Sequence, residues 1–289
     1  MIRVLGSAAG GGLPQWNCHC AVCEAARRGD VRPRTQSTIA FRSGADRWFL
    51  GNASPDLRQQ LSMLAAPGTG ELRRSPVAGI VLTDAEIDHT AGLLLLRESS
   101  EPLRIWSTAE VHRALTSDYP LLPMLDRYCG VEWTELAFGQ RVELADDLDV
   151  EAFPTGGDAP LYAPGADFGA AGLTIRDRAG GVQVTYAPAL AALTDEIVAR
   201  FRASDCVLVD GTFWSNDELV ALGLSRRDAA AMGHAPLDVN LEALSSLSSR
   251  TVLVHINNTN PIVLGDSPER ALLEANGVEI AHDGMEIAL

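Results

Sequence analysis

Residues 77–94 read VAGIVLTDAEIDHTAGLL: a short apolar run, then four ligand-capable side chains within six residues, Asp84, Glu86, Asp88 and His89. The run has the composition of a buried strand, and helical spacing begins near Asp88. Sites in α/β folds sit where strand ends meet helices, so this stretch is the first candidate for chemistry. An isolated Asp-His pair is more often a helix cap beside a satisfied histidine. The pair alone therefore decides nothing, and its surroundings must.

Outward from it, β-rich runs occur at 2–7, 38–43, 47–54, 103–108, 172–177, 181–187, 206–211 and 251–256, and in the final EIAHDGMEIAL. The pairs 38–43/47–54 and 172–177/181–187 are joined by Gly44-Ala45-Asp46 and Arg178-Ala179-Gly180, turns suited to hairpins. Helical periodicity appears near 55–65, 88–98, 109–116, 194–202, 238–247 and 268–275. Hairpins and strand–helix alternations spread over the whole length predict an α/β sandwich of mixed sheets in one domain, residues 1–289. The Gly/Pro/Ala-rich stretch 154–171 reads as a surface loop.

The chain has 289 residues, 46% of them hydrophobic, with 23 basic and 38 acidic side chains and a net charge of −15. That is enough apolar sequence for a core without disulfides. The acidic balance argues against nucleic acid and against an anionic membrane surface as partners. No apolar run reaches the ~18 residues of a membrane span. The opening MIRVLGSAAGGG has neither a basic leader nor an apolar signal core, so a cytoplasmic location is expected.

Three of the five cysteines, Cys18, Cys20 and Cys23, fall within six residues. Such a C-x-C-x₂-C cluster is a poor disulfide framework and a good set of zinc ligands, three corners of a tetrahedron. Three small residues buried in a loop are the alternative. A metal would order the flanking GGGLPQWN, which has no propensity of its own. His19, between two ligands, is expected to point away. The glycines at 6 and 10–12 have no P-loop lysine after them and read as close backbone approach beside that loop.

TDAEIDHxxG occupies the place of the metallo-β-lactamase signature H-x-H-x-D-H-x-x-G. TVLVHINNTNPI resembles the strand that gives that superfamily its last metal histidine, here His255. CVLVDGTFW and MGHAPLDVNLEAL resemble the acidic strand end and the Gly-His helix start of the ribonuclease Z-like branch, here Asp210 and His234. In that branch such a pair orients a proton donor, although His234 alone also reads as an ordinary helix-start histidine. Asp84 and Glu86 replace both histidines of the first metal position, TGGDA at 155–159 lacks the next one, and YAPA at 186–189 lacks the bridging aspartate. What remains is Asp88, His89 and His255: two imidazoles and one carboxylate, the ligand set of non-haem iron(II) oxygen chemistry. The two-metal clamp of a hydrolase is missing.

The blocks GSAAGGGLPQWNCHCAVC, TDAEIDHTAGLL, YAPAL, VDGTFW, MGHAP and HINNTNPI, in this order, resemble the PqqB family of pyrroloquinoline quinone (PQQ) biosynthesis over essentially the whole chain. The resemblance implies a metallo-β-lactamase-like αββα fold and a structural zinc on Cys18, Cys20 and Cys23. It also implies a role in making the quinone from a cross-linked Glu–Tyr precursor, a small amino-acid-derived molecule. Related phosphodiesterases place the fourth zinc ligand three residues after the last active-site histidine, which here is Asn258, an uncommon one. The family is associated with iron- and oxygen-dependent hydroxylation of the tyrosine-derived ring, and in older descriptions with carriage or transport of the cofactor.

As an enzyme, the chain would hold iron(II) or another divalent metal on Asp88, His89 and His255. Asp210 and His234 would steer protons, while Asp84 and Glu86 would hold substrate amines or support the ligands. A carrier that no longer turns over is the second reading, and a residual metal-dependent hydrolase the third. A homodimer is the assembly to test. Of the tryptophans, Trp16 and Trp214 flank the two site-like loops, and His112 and His282 carry no argument.

Overall fold

The computed structural model describes all residues except 45, 65–71, 73, 158, 164–168 and 289. One seven-stranded sheet has the order β14-β1-β2-β3-β4-β5-β6: β1 (Ile2–Gly6), β2 (Thr38–Phe41), β3 (Trp48–Gly51), β4 (Val77–Val81), β5 (Leu103–Ser107), β6 (Val131–Glu135) and β14 (Glu286–Ile287). The other has the order β13-β12-β11-β10-β9-β8-β7: β7 (Arg141–Ala145), β8 (Leu148–Gly156), β9 (Ala170–Asp177), β10 (Val182–Ala187), β11 (Cys206–Asp210), β12 (Arg250–Val254) and β13 (Glu279–Ile280). Each sheet is mixed. Antiparallel pairs at β1–β2–β3 and β7–β8–β9–β10 give way to parallel pairs at β3–β6 and β10–β13.

The helices are α1 (Ala21–Arg28), α2 (Leu57–Leu61), α3 (Ile87–Thr90), α4 (Ala109–Arg113), α5 (Leu121–Asp126), α6 (Asp195–Arg202), α7 (Glu218–Ala221), α8 (Leu237–Ser245) and α9 (Pro268–Ala275). Strand alternation explains why the runs look uniformly apolar. In β4, Val81 faces the opposite sheet while Ile80 faces the helices; in β11, Leu208 faces the opposite sheet and Val207 the helices. Phe41, Phe49 and Trp106 meet Leu173, Tyr186 and Leu208 between the sheets. Leu57, Leu93, Leu115 and Leu121 cover the first sheet, and Val22, Phe201, Leu244 and Leu273 cover the second. This is the αββα metallo-β-lactamase-like sandwich that the sequence implied.

Several local expectations need correction. The cysteine segment is more than a loop: Cys20 caps α1, its sulfur accepting from the Cys23 N–H, and Gly29 closes the helix at φ 85°. Two of the three thiols, Cys18 and Cys23, are buried. The stretch 154–171 is strand at both ends, with Pro154 opposite Ala171. In β8, Asp149 and Glu151 are buried beside Arg176, and Glu151 also pairs with Arg200 of α6. Those paired acids conceal the strand in the sequence. The final run divides, β13 joining one sheet and β14 the other, so the tail crosses the sandwich. Both expected hairpins form, β2–β3 and β9–β10. Among the described residues no helix is long and apolar enough to cross a membrane.

Candidate metal centre

The end of β3 sets up the end of β4. Asn52 adopts φ 67°, and its side chain accepts from Thr83 N (2.9 Å) and donates to Thr83 Oγ1 (2.9 Å). Thr83 Oγ1 donates to Asp84 Oδ2 at 2.7 Å, and the Glu86 N–H donates to Asp84 Oδ1 at 2.9 Å. The buried Asp84 carboxylate lies 2.7 and 2.9 Å from His89 Nδ1. A carboxylate can only accept, so Nδ1 carries a hydrogen and Nε2 is the nitrogen left for a metal. His89 Nε2 is buried without a hydrogen-bond partner.

The second sheet supplies the rest. Asp210 ends β11, and its Oδ2 lies 2.6 Å from His234 Nδ1 and accepts from Leu190 N at 3.0 Å. His255 follows β12 at φ 54°, a left-handed conformation uncommon for a side chain of this size. The rings of His89 and His255 meet edge to face at 5.0 Å, and those of His234 and His255 stack at 5.4 Å. Asp88 Oδ2 lies 3.5 Å from His255 Nε2 and 3.9 Å from His89 Nε2.

Charge is concentrated here. Burial pushes the Asp88 carboxyl up, but the imidazoles of His89 and His255 outweigh it and hold the group below the usual carboxylate range. Burial pulls His89 down, yet Asp84 and Asp88 raise it to about 9. Burial, with Asp84 and Asp88 nearby, takes Glu86 up to about 7. Asp210 overcomes the burial of His234 and keeps it above its ordinary value. A cation among Asp88, His89 and His255 would satisfy the orphaned His89 nitrogen and offset the acids, so the residues fit a divalent metal. They face a cavity of about 250 Å³ walled by Gly10, Gly156, Gly157, Gly233, Phe213 and Met232.

A Cβ on Gly10 would lie 3.1 Å from Asp88 Oδ2, which accounts for one glycine of the opening loop. Farther along that loop, the sulfurs of Cys18, Cys20 and Cys23 lie within 4.8 Å of one another. Asn258, itself buried, sets Nδ2 at 3.2 Å from Cys23 Sγ and 3.9 Å from Cys20 Sγ. Turning that amide over would place Oδ1 there, a fourth donor for zinc. Burial drives Cys20 up to about 12, while hydrogen bonds from its neighbours outweigh burial at Cys18 and lower that thiol. Three crowded sulfurs suit a cation as well. His19 points outward, 79% exposed, against Glu24.

The fold thus brings Asp88, His89, His255 and His234 to one cavity, with Glu86 at its rim, Asp84 against His89 and Asp210 behind His234. Both Asp84 oxygens are engaged in the interior, which favours support of a ligand over the holding of a substrate amine, the two roles expected of it. Of the tryptophans, Trp16 is 86% exposed and Trp214 packs on the helix-covered core. Sequence reasoning missed Thr212 and Asn52, which hold the ligands from behind. It also missed Tyr162, whose hydroxyl donates to Ala85 O from within the supposed surface loop. Thr212 had a signal: it lies two residues from Asp210 at a strand end.

Residues 47–256 match the family model described as a beta-lactamase superfamily domain. Coenzyme PQQ synthesis protein B of Azoarcus sp. (strain BH72) is 45% identical, covering 100% of this chain and 99% of the relative. Its counterpart in Cupriavidus necator is 47% identical over the same shares. The crystal structure of Zn(2+)-bound PqqB from Methylobacterium extorquens superposes with a TM-score of 0.91 at 36% identity, covering 100% of this chain and 99% of that one. A diphosphatase of the PhnP family, at 18% identity and TM-score 0.71 over 98% and 94% of the two chains, shares the fold. The chain belongs to the coenzyme PQQ synthesis protein B family within the β-lactamase superfamily.

Proposed function

We propose that this chain acts in PQQ synthesis as an iron- and oxygen-dependent hydroxylase of the tyrosine-derived ring in the cross-linked Glu–Tyr intermediate. The observation that carries the reading is the asymmetry of the site. Asp88, His89 and His255 converge, while Asp84, where the superfamily has a first-metal histidine, is turned onto His89. Iron(II) held by Asp88, His89 and His255 would supply dioxygen activation.

The chain's own residues have separate tasks in this reading. Asp84 keeps the hydrogen of His89 on Nδ1, leaving Nε2 for the metal. His234, raised above its ordinary value by Asp210, is placed to exchange a proton with the cavity and to be oriented by the same carboxylate. Glu86, at the rim, is suited to a substrate ammonium group. The cavity lined by glycines, Phe213 and Met232 would take the flat ring. Cys18, Cys20, Cys23 and Asn258 would hold a structural zinc that supports the wall at Ala9 and Gly10.

Anaerobic loading with iron(II), addition of the intermediate and measurement of oxygen uptake test the proposal. With a two-electron reductant such as ascorbate supplied, uptake of one dioxygen per product one oxygen heavier is expected, the second oxygen leaving as water, and it is lost in His89→Ala. Metal-independent binding of finished cofactor, with no chemical change and no effect of His89→Ala, would favour a carrier instead.

A further inference from the structure

We infer that Thr212 is a positioning residue that fixes which nitrogen of His255 faces the metal, drawing on the same buried carboxylate that orients His234. The inference rests on the proposed metal position at Asp88, His89 and His255. Thr212 is buried two residues beyond β11. Its Oγ1 lies 2.5 Å from Asp210 Oδ1, 2.8 Å from His255 Nδ1 and 2.9 Å from the His255 carbonyl oxygen. Its own N–H also donates to Asp210 Oδ1, at 2.9 Å.

A hydroxyl has a single hydrogen, and carboxylate and carbonyl oxygens have none to give. Were that hydrogen directed to His255 Nδ1, the Thr212 oxygen would face the lone pairs of Asp210 at 2.5 Å with nothing between them. Donation to the carboxylate is charge-assisted and removes the repulsion. Donation to the His255 carbonyl has the same consequence for the ring. In either case Thr212 Oγ1 accepts, and His255 Nδ1 must donate. His255 therefore carries a hydrogen on Nδ1, and Nε2, 3.5 Å from Asp88 Oδ2, is the nitrogen left for a metal between them.

Asp210 thus serves two rings: His234 directly through Oδ2, and His255 through the Thr212 hydroxyl on Oδ1. His89, by contrast, has a carboxylate of its own. The two imidazole ligands are consequently held differently, one by a carboxylate and the other by a hydroxyl. Thr212 also holds the His255 carbonyl, helping to keep the residue in its left-handed conformation.

Thr212→Val keeps the shape and removes the relay, and Thr212→Ser keeps the relay. Long-range proton–nitrogen correlation spectra of the metal-free protein, at mildly alkaline pH and with His255 assigned through His255→Gln, report the tautomer directly. The hydrogen is expected on Nδ1 in the wild type and in Thr212→Ser. Thr212→Val should populate the Nε2–H form and bind iron(II) roughly 10–100-fold more weakly. A wild-type ring with its hydrogen on Nε2 overturns the inference without any variant. So does a Thr212→Val ring unchanged from wild type, or a Thr212→Ser ring that behaves like Thr212→Val. If the tautomers follow expectation but even the wild type binds no metal through Asp88, His89 and His255, the metal position fails and the role of Thr212 stands.

Discussion

Two clusters of ligand-type side chains lie at the two ends of one short segment, His255 to Asn258, and they are built in opposite ways. The sulfur cluster is closed: Cys18 and Cys23 are buried, Asn258 lies against them, and the helix-covered core packs around them. The imidazole–carboxylate cluster is open: Asp88, His89 and His255 face a cavity with glycine walls and a proton-bearing histidine beside it. Structural metal sites fill every corner with protein, whereas chemical sites leave one free. Soft thiolates also select a different ion from two imidazoles and a carboxylate. The contrast teaches that one segment can join a closed ligand set to an open one while keeping their chemistry apart.

The largest effect should come from opening the closed cluster. Cys23→Ser is expected to release zinc and to cost more than about 4 kcal/mol of stability, read by urea unfolding with metal analysis of the same samples. A variant that unfolds like the wild type would leave the thiols without a structural metal. Asp84→Asn should act on the open cluster alone. It removes the charge behind His89, and iron(II) binding should weaken about 10–100-fold in titrations while zinc stays bound. Unchanged iron affinity would contradict the supporting role given to Asp84.

Glu218 probes the link between the clusters. This buried carboxylate accepts from Thr259 Oγ1, next to Asn258, and from Trp214 N. Burial raises it from 4.5 to about 7, against the hydrogen bonds that favour its charged form. A folded pKa above the unfolded one gives a contribution that is full below about 4.5 and lost as pH rises through about 7. Glu218→Gln should therefore gain on the wild type by about 1–2 kcal/mol between pH 5 and pH 8, measured by denaturant unfolding at each pH. Parallel stability curves for the two proteins would refute that assignment. The smallest change is expected from Glu86→Gln. Glu86 is exposed, so solvent screens its charge far more than that of Glu218, and stability should shift by less than about 0.5 kcal/mol while KM for the amine-bearing substrate rises. An unaltered KM would remove Glu86 from substrate binding.

Much of this architecture was legible because chemistry and pattern coincide. Asp88, His89 and His255 stand at strand ends with recognisable spacing, and the apolar runs of β4, β11 and β12 announce strands buried on both faces. Other parts were hidden by side chains doing unusual things. Cys20 caps α1 with a sulfur atom, so no Ser, Thr, Asp or Asn marks the helix start, although Gly29 and the Arg27-Arg28 pair mark its end. β8 carries Asp149 and Glu151 on a face covered by arginines, and reads as polar sequence. The sequence leaves Asp84 open between a substrate amine and support of a ligand, because spacing does not reveal which way a carboxylate turns. Thr212 was invisible for a related reason: a lone threonine acquires its role only when β11 and β12 pair and bring Asp210 beside His255.

Four acids near one position, Asp84, Glu86, Asp88 and Asp210, give the net charge of −15 a local meaning, and a cation is the natural counterweight. The most direct test of two distinct metals is elemental analysis by mass spectrometry of the wild type, Cys18→Ser and His89→Ala, purified in parallel under anaerobic conditions. The account predicts that Cys18→Ser loses one zinc and keeps the other metal, and that His89→Ala keeps the zinc and loses the other metal. Loss of the same ion in both variants, or of none in either, would contradict it.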